Sequence, residues 1–276
     1  MTNRRNAIKQ MAGAVAVGSM SSLRDLVAPP RIVPRCGVQL YTLRTEMEKN
    51  VDATLERVAR IGYKEVEFAG YFGKSPAQIA ARLKSAGLTA PSAHVGLADI
   101  RDKWSQTLDV ASAIGHRYLV CAYLTEDQRG DAETYRRLAA EFNVAAQAAK
   151  ARGISFAYHN HDFEFTPLAG TNGYDVLLTE TDRALVHFEM DLYWTAKAGK
   201  NALDFFAAYP GRFPLVHVKD MKGDGSMTEV GSGTIRFARI FAKAKQAGIK
   251  HYYVEHDQPK DAFASITTSY KALAAM

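Results

Sequence analysis

From residue 35 onward the chain alternates between two hydrophobic patterns. In the first, apolar residues recur at intervals of three and four, which is typical of helices that bury one face. In the second, several apolar or aromatic residues follow one another, as they do in strands that are buried on both sides. A glycine often separates the two, and glycine just past a helix ends it by adopting a left-handed conformation. The order recurs in ARIGYKEVEF, SAIGHRYLVCAY, KARGISFAYH and KQAGIKHYYVEH.

Eight apolar runs of this kind each predict a strand, and helical patterns separate them. Asp52, Ser75 and Asp131 stand where N-cap residues of these helices are expected. Eight strand–helix units in about 240 residues predict a single-domain α/β fold, the (β/α)8 TIM barrel, over residues 35–276. A doubly wound open sheet is the alternative, but it usually has fewer strands, and no G-x-G-x-x-G turn follows the first strand here. The predicted strands lie near residues 36–42, 64–69, 90–95, 117–123, 154–160, 186–192, 213–219 and 251–256.

Residues 1–28 differ in kind from the rest of the chain. Arg4-Arg5, Lys9 and a weakly apolar run of alanine, glycine and valine resemble a twin-arginine export signal. An amphipathic N-terminal helix is the alternative interpretation. The run is too short and too weakly apolar to anchor in a bilayer, and no longer apolar run predicts a membrane span elsewhere. We therefore expect an exported protein, periplasmic by the twin-arginine route.

The charge of the chain does not point to nucleic acid as a partner. The formal net charge is +6, and residues 1–28 contribute +3 of it, since they hold four basic residues and one acidic residue. The basic residues that remain form no block of lysine and arginine. The two cysteines, Cys36 and Cys121, are too few for a disulfide framework. With 47% hydrophobic and 23% charged residues, the composition is that of an ordinary globular protein and leaves the oligomeric state open.

Polar residues stand at the carboxyl ends of the predicted strands, where TIM barrels carry their active sites. The fifth strand leads into YHNHDFEF, in which His159 and His161 would point to the same side of a regular strand. A single residue of this kind is readily explained as part of the rim. His, Asp, His and Glu at the ends of four consecutive strands instead favour a site. The residues at the strand ends are Glu67, His94, His159, His161, Asp191, His217, Lys219 and Glu255.

Two imidazoles and two carboxylates at the ends of strands 5 to 8 suit one divalent transition metal ion. The candidate ligands are His159, Asp191, His217 and Glu255, and Mn2+, Co2+ or Zn2+ is favoured, with Mg2+ as a further candidate. The histidines make an all-oxygen calcium site less suitable. The ligand spacing is too long for a zinc finger, and no pair of cysteines is available for one.

These motifs resemble the xylose isomerase-like TIM-barrel superfamily, and in particular its sugar phosphate isomerase/epimerase group. The resemblance covers nearly all of residues 35–276 and is carried by EVEFAG, YHNHDFEF, MDLYWT, HVKD and VEH, with EVGSGTI in a loop. It implies one divalent ion held by Glu, Asp, His and Glu at the ends of strands 5 to 8. His159 stands where the family has the first glutamate. The pair of proton-transferring glutamates of the family's epimerases therefore does not carry over to this chain.

The resemblance implies an enzyme that removes a proton next to the carbonyl group of a sugar or keto-sugar, with the metal ion as Lewis acid. His161 and Glu255 are the candidate bases, although His161 is equally open to a role as a hydrogen-bonding brace of the rim. Lys219 either donates to a developing oxyanion or neutralises Glu67. We expect an isomerase or epimerase. The alternatives are an exported lyase or dehydratase acting on 3-keto-glycosides by β-elimination, and a sugar-binding barrel without turnover.

Contacts with the substrate are predicted for a second set of residues around the barrel mouth, although aromatic residues there are also common packing. A metal-dependent DNA endonuclease, another type of protein in the superfamily, would need more ligands and a basic face than this chain offers. The predicted substrate contacts are Tyr41, Glu67, His94, Tyr193 and Trp194.

Overall fold

Eight parallel strands close into one barrel, which confirms the predicted (β/α)8 fold. The computed structural model describes residue 33 and residues 35–276. The predicted export signal, residues 1–28, lies outside the described residues and stays a prediction. The barrel strands, numbered 1 to 8 from here on, are Gly37–Gln39, Glu65–Phe68, Thr89–Val95, Tyr118–Cys121, Ser155–His159, Val186–Asp191, Leu215–Val218 and His251–Val254.

The barrel closes where strand 1 pairs in parallel with both strand 2 and strand 8. Gly37 is opposite Glu65 on one side and Tyr253 on the other. A Cβ atom at Gly37 would overlap the ring of Tyr253, which occupies that space inside the barrel. Strand 1 is shorter than predicted, because Leu40–Leu43 turns into a 3-10 helix after Gln39.

Helices cover the outside of the barrel and follow the predicted rhythm. Ser75 and Asp131 cap helices as predicted, but Asp52 does not: the cap is Asn50, whose side chain accepts a hydrogen bond from the Ala53 backbone. Within the described part of the chain, no helix is both long and apolar enough to cross a membrane. The α-helices are Arg44–Lys49, Val51–Ile61, Pro76–Ala86, Leu97–Asp102, Trp104–Ile114, Ala132–Ala151, Gly173–Glu180, Leu192–Lys197, Ala202–Ala208, Phe237–Phe241, Ala244–Ala247 and Ala262–Ala274.

The interior of the barrel has an apolar layer below a polar one. Ala157, Leu215 and Tyr253 are buried in one hydrophobic cluster inside the barrel, together with Tyr118 and Val120. Side chains two residues apart on a strand point to the same face. The residues two positions further along strands 5, 7 and 8 therefore lie above this layer, at the carboxyl end of the barrel. They are His159, His217 and Glu255.

Candidate active site

A cavity of about 550 Å³ opens at the carboxyl end of the barrel, where the sequence predicted the site. Six of the predicted residues line it, which brings together side chains from strands 3, 5, 7 and 8 and from the loop after strand 1. Tyr123, Asp257 and Gln258 also line it and were not predicted. The six predicted residues at the cavity are Tyr41, His94, His159, His161, Lys219 and Glu255.

The four predicted metal ligands converge. His159, Asp191, His217 and Glu255 each offer one ligand atom within 4.8 Å of the others, and all four are buried. His159 Nε2 lies 3.4 Å from Asp191 Oδ2, which lies 3.9 Å from His217 Nδ1. His217 Nδ1 in turn lies 2.7 Å from Glu255 Oε2. Their roles as ligands stay predictions.

Backbone groups around the site form hydrogen bonds with the second nitrogen of His159 and the second carboxylate oxygen of Asp191. His159 Nδ1 lies 3.2 Å from the carbonyl oxygen of Ala122, to which it donates, so the lone pair of Nε2 faces the site. Asp191 ends strand 6 and caps the next helix, since its Oδ1 accepts a hydrogen bond of 2.8 Å from the Trp194 backbone. Only Oδ2 of Asp191 remains for the site.

This donor set fits a divalent metal ion. Within the described residues, the buried His159 Nε2 forms no hydrogen bond, while His217 Nδ1 and Asp191 Oδ2 have only ion-pair contacts, with Glu255 at 2.7 Å and with Lys219 at 3.0 Å. Leaving buried polar atoms without hydrogen bonds is costly, and such atoms call for an explanation. Two imidazole nitrogens with two carboxylates would satisfy the preferences of zinc, manganese or cobalt.

Lys219 lies on the acidic side of this site. Its ammonium is 3.0 Å from Asp191 Oδ2, 2.7 Å from Glu255 Oε2 and 2.8 Å from Asp257 Oδ1. Burial acts to lower the pKa of Lys219, but the three carboxylates outweigh it and hold the pKa well above its ordinary value. The prediction that Lys219 could neutralise Glu67 is wrong, because its charge is balanced by these three carboxylates.

Glu67 instead belongs to a buried network beneath the cavity. It is fully buried and lies 2.7 Å from His217 Nε2 through its Oε2. His94, which lines the cavity, has its Nε2 2.6 Å from Glu189 Oε2. Glu189 was missed by the sequence analysis, although it stands two residues before Asp191 on strand 6 and alternation places both on one face. Glu67 does not line the cavity, so the structure does not bring it to a substrate there.

Two of the cavity histidines have opposite tendencies to carry a proton. Burial, together with the neighbouring His159 and Lys219, holds the pKa of His161 well below its ordinary value. Burial also acts to lower the pKa of His94, but the carboxylates of Glu67 and Glu189 outweigh it and raise the pKa. The cavity therefore contains a neutral imidazole and one that favours the protonated form.

His161 lies just beyond the end of strand 5, which stops at His159. The shared direction expected from alternation is nevertheless found, because the two rings lie 4.8 Å apart. The imidazole of His161 stacks on Phe163 at 5.4 Å, and Tyr123 meets it edge-on at 4.9 Å. Its backbone N–H donates a 2.8 Å hydrogen bond to the buried carboxylate of Glu164.

The predicted aromatic wall is divided between the cavity and the packing behind it. Tyr41 is 43% exposed and lines the cavity. Tyr193 is buried away from it, and its hydroxyl donates to the carbonyl of Gly225. The ring of Trp194 lies 5.5 Å from that of His161 but is not part of the cavity lining.

Comparisons with known proteins agree with this architecture. Residues 55–274 match the family model described as "Xylose isomerase-like TIM barrel". An inosose dehydratase of Geobacillus kaustophilus is 24% identical over 70% of this chain and 75% of its own length. A second inosose dehydratase, of Clostridium beijerinckii, is 28% identical, but the match spans only 40% of this chain and 42% of that protein.

Solved structures give the same result. A sugar phosphate isomerase/epimerase of Parabacteroides distasonis is 26% identical, with a TM-score of 0.76 over 87% of this chain and 94% of that one. The IOLI protein with a bound zinc atom has a TM-score of 0.69 at 17% identity, over 86% of this chain and 96% of that one. The family match covers most of the chain and the fold agrees with it. This protein therefore belongs to the xylose isomerase-like TIM-barrel family.

Proposed function

We propose that the protein is a divalent-metal-dependent enzyme that removes a proton from the carbon next to the carbonyl group of a sugar or keto-sugar. The observation that carries this proposal is the convergence of four buried ligand residues beside a cavity that His161 and Lys219 also line. A divalent ion held by these residues would supply a Lewis acid for a carbonyl oxygen. Membership of a family that includes isomerases, epimerases and dehydratases supports an enzyme of this class.

The side chains at the cavity have the protonation states that this chemistry needs. His161 is the base: its pKa is low, so it is unprotonated at neutral pH, and within the described residues its buried Nδ1 has no hydrogen-bond partner. Lys219 lines the cavity and holds a positive charge there, which stabilises negative charge developing on the substrate oxygen. His94, whose pKa is raised, is a proton donor at the same cavity. Two groups whose pKa values are pushed apart by their surroundings are a sign of paired acid and base roles.

Within this class we favour β-elimination. His161 takes the proton from the carbon next to the carbonyl, and the C–H electrons form a double bond to the β-carbon. The bond from the β-carbon to the leaving oxygen breaks, and that oxygen keeps the electron pair and receives a proton from His94. Epimerisation by two glutamates lacks its strand-5 member, since His159 stands there, and Glu255 is engaged by Lys219 and His217. The inosose dehydratases among the relatives also support elimination. Isomerisation is the second candidate, supported by the neighbour named as an isomerase/epimerase.

The direct test is an assay of the protein loaded with Zn2+, Mn2+ or Co2+, run in deuterium oxide. The substrates are free ketoses, sugar phosphates, an inosose and 3-keto-glycosides. Elimination gives an unsaturated ketone that absorbs ultraviolet light, whereas isomerisation returns a sugar carrying solvent deuterium. A metal-loaded protein that produces neither signal with any of these substrates would refute the proposed function.

The division of labour between the two strand-5 histidines gives the second test. His161→Ala should keep the metal and lose turnover by about 10²–10⁴-fold, the usual contribution of a general base. His159→Ala should bind metal more weakly, so excess metal should restore part of its activity. His187→Ala, at the opposite end of strand 6, is the control and should keep both properties. A His161→Ala protein that is metal-free, or metal-loaded and fully active, contradicts the assignment.

A further inference from the structure

His217 has a carboxylate contact at each of its two ring nitrogens. On the cavity side, Nδ1 lies 2.7 Å from Glu255 Oε2 and 3.9 Å from Asp191 Oδ2. On the opposite side, Nε2 lies 2.7 Å from Glu67 Oε2 and 3.1 Å from Glu189 Oε2. All of these side chains are at most 5% exposed. The imidazole therefore connects the proposed metal centre to a buried pair of glutamates beneath it.

The neighbours of Glu67 show which way the hydrogen bond to His217 runs. Gln39 Nε2 donates to Glu67 Oε2 at 2.8 Å, and the hydroxyl of Ser92 donates to Oε1. The orientation of the Gln39 amide is fixed, because its Oε1 accepts a hydrogen bond of 3.0 Å from the Tyr41 backbone. Glu67 is thus a carboxylate among donors, so His217 Nε2 donates to it and carries the hydrogen.

We infer that Glu67 is a positioning residue, which fixes the hydrogen of His217 on Nε2 and so leaves Nδ1 as the metal-binding nitrogen. A neutral imidazole has one N–H, and the hydrogen bond at one nitrogen decides which nitrogen is free to bind a metal. A carboxylate partner also fixes the plane of the ring and makes the ligand more basic. The inference rests on the metal centre of the proposed function and adds to it a residue that touches neither ion nor substrate.

The buried network beneath the cavity is a second candidate for an ion. Its members, Glu67, His94, Glu189 and His217, also have ligand atoms within 4.8 Å of one another. The hydrogen bonds of this cluster speak against a second ion. His94 Nε2 is hydrogen-bonded to Glu189 Oε2 at 2.6 Å, and His217 Nε2 to Glu67 Oε2 at 2.7 Å, so all four atoms already have partners. In the proposed metal site, by contrast, the buried His159 Nε2 has no hydrogen bond within the described residues. A second ion would have to replace hydrogen bonds that are already formed.

Strand 2 supplies a matched control for the test. Glu65 lies two residues before Glu67, is also buried, and has its own histidine partner, with His251 Nδ1 2.7 Å from Glu65 Oε2. That pair lies towards the amino end of the barrel, away from the cavity. Replacing Glu65 or Glu67 therefore removes the same kind of buried contact from the same strand, but only Glu67 contacts a proposed ligand.

The experiment compares Glu67→Ala, Glu67→Gln and Glu65→Ala in the full chain. Zn2+ affinity and stoichiometry are measured by competition with a chromophoric chelator, and stability by urea unfolding. We expect Glu67→Ala to weaken zinc binding by about 10–100-fold. Glu67→Gln should lose less, because its amide oxygen can still accept from His217 while its NH2 donates to Ser92. Glu65→Ala should lose stability and keep wild-type zinc affinity.

Long-range ¹H–¹⁵N spectra of the zinc-loaded protein show directly which ring nitrogen of His217 carries the hydrogen and which one binds zinc. We expect the hydrogen of His217 on Nε2 and zinc on Nδ1. Zinc on Nε2, wild-type affinity in Glu67→Ala, or a second zinc that Glu67→Ala loses would each overturn the inference. A wild-type protein that binds no zinc overturns the metal centre and the inference together. One that binds zinc without turnover refutes the proposed function and leaves the role of Glu67 standing.

Discussion

Replacing Glu164 by glutamine should make the stability of the metal-free protein less dependent on pH. Glu164 is fully buried behind the cavity, where it accepts hydrogen bonds from the Tyr158 hydroxyl at 2.6 Å and from the His161 backbone at 2.8 Å. Burial raises the pKa of this carboxyl group from its ordinary 4.5 to about 7, although both hydrogen bonds act to lower it.

The sign and size of the effect follow from this shift. Because the pKa is higher in the folded protein, the folded state holds the proton more tightly than the unfolded chain does. Glu164 therefore contributes stability that is fully present below pH 4.5 and is lost as the pH rises to about 7. The whole change corresponds to about 3 kcal/mol, of which about 2.5 kcal/mol falls between pH 5 and pH 8.5.

The assay is urea unfolding of wild type and Glu164→Gln at several values of pH in that range. The amide keeps an acceptor for the His161 backbone, and its NH2 group can donate to the Tyr158 oxygen, so the fold should persist. Stability of the variant relative to wild type should rise with pH by about 2.5 kcal/mol. Glu48→Gln, at an exposed position, is the control and should follow wild type at every pH. If the wild-type and Glu164→Gln curves run parallel, the reasoning is wrong.

Two further predictions concern Lys219 and Gly233. Lys219→Met leaves three carboxylates without their ammonium, so urea unfolding should show the metal-free protein destabilised by about 3 kcal/mol. Chelator competition should show its metal affinity raised by roughly tenfold or more, since like charges a few ångströms apart repel by several kcal/mol; lower affinity would contradict this. Gly233→Ala puts a Cβ against Asp220 Oδ1 and the Met221 carbonyl and should cost about 1–3 kcal/mol in the same unfolding assay. Gly223→Ala, which meets no atom within 4 Å, should cost much less.

The barrel was predictable because its signals are local. Each signal, a helix that ends in glycine and is followed by an apolar run, lies within about a dozen residues of sequence. The number of such units then predicts the closed barrel. The positions of His159, Asp191 and Glu255 at strand ends were predictable for the same reason, since the carboxyl ends of parallel strands in a barrel share one rim. Local competition explains the misses in detail: Asn50 takes the cap expected of Asp52, because its side chain reaches the Ala53 backbone.

Partners across the barrel could not be predicted, since sequence spacing does not say which inward-facing side chains meet. His94 and Glu189 are separated by 95 positions and lie 2.6 Å apart. One of the two roles predicted for Lys219 paired it with Glu67, but its contacts are with Asp191, Glu255 and Asp257. Such pairings depend on side-chain length and on which carboxylate is nearest, and both are settled only when the strands close.

The proposed metal ligands and the other residues that line the cavity lie on different parts of the fold. The proposed ligands stand at or just past the ends of hydrogen-bonded strands, where the barrel limits what can change. Tyr41, Tyr123 and Gln258 line the same cavity but lie on the segments that connect strands to helices, and such segments accept substitutions and insertions more readily. The shape of the cavity can therefore change without rebuilding the proposed metal centre. Substitutions confined to these segments could change the substrate while the proposed strand-end ligands stay in place.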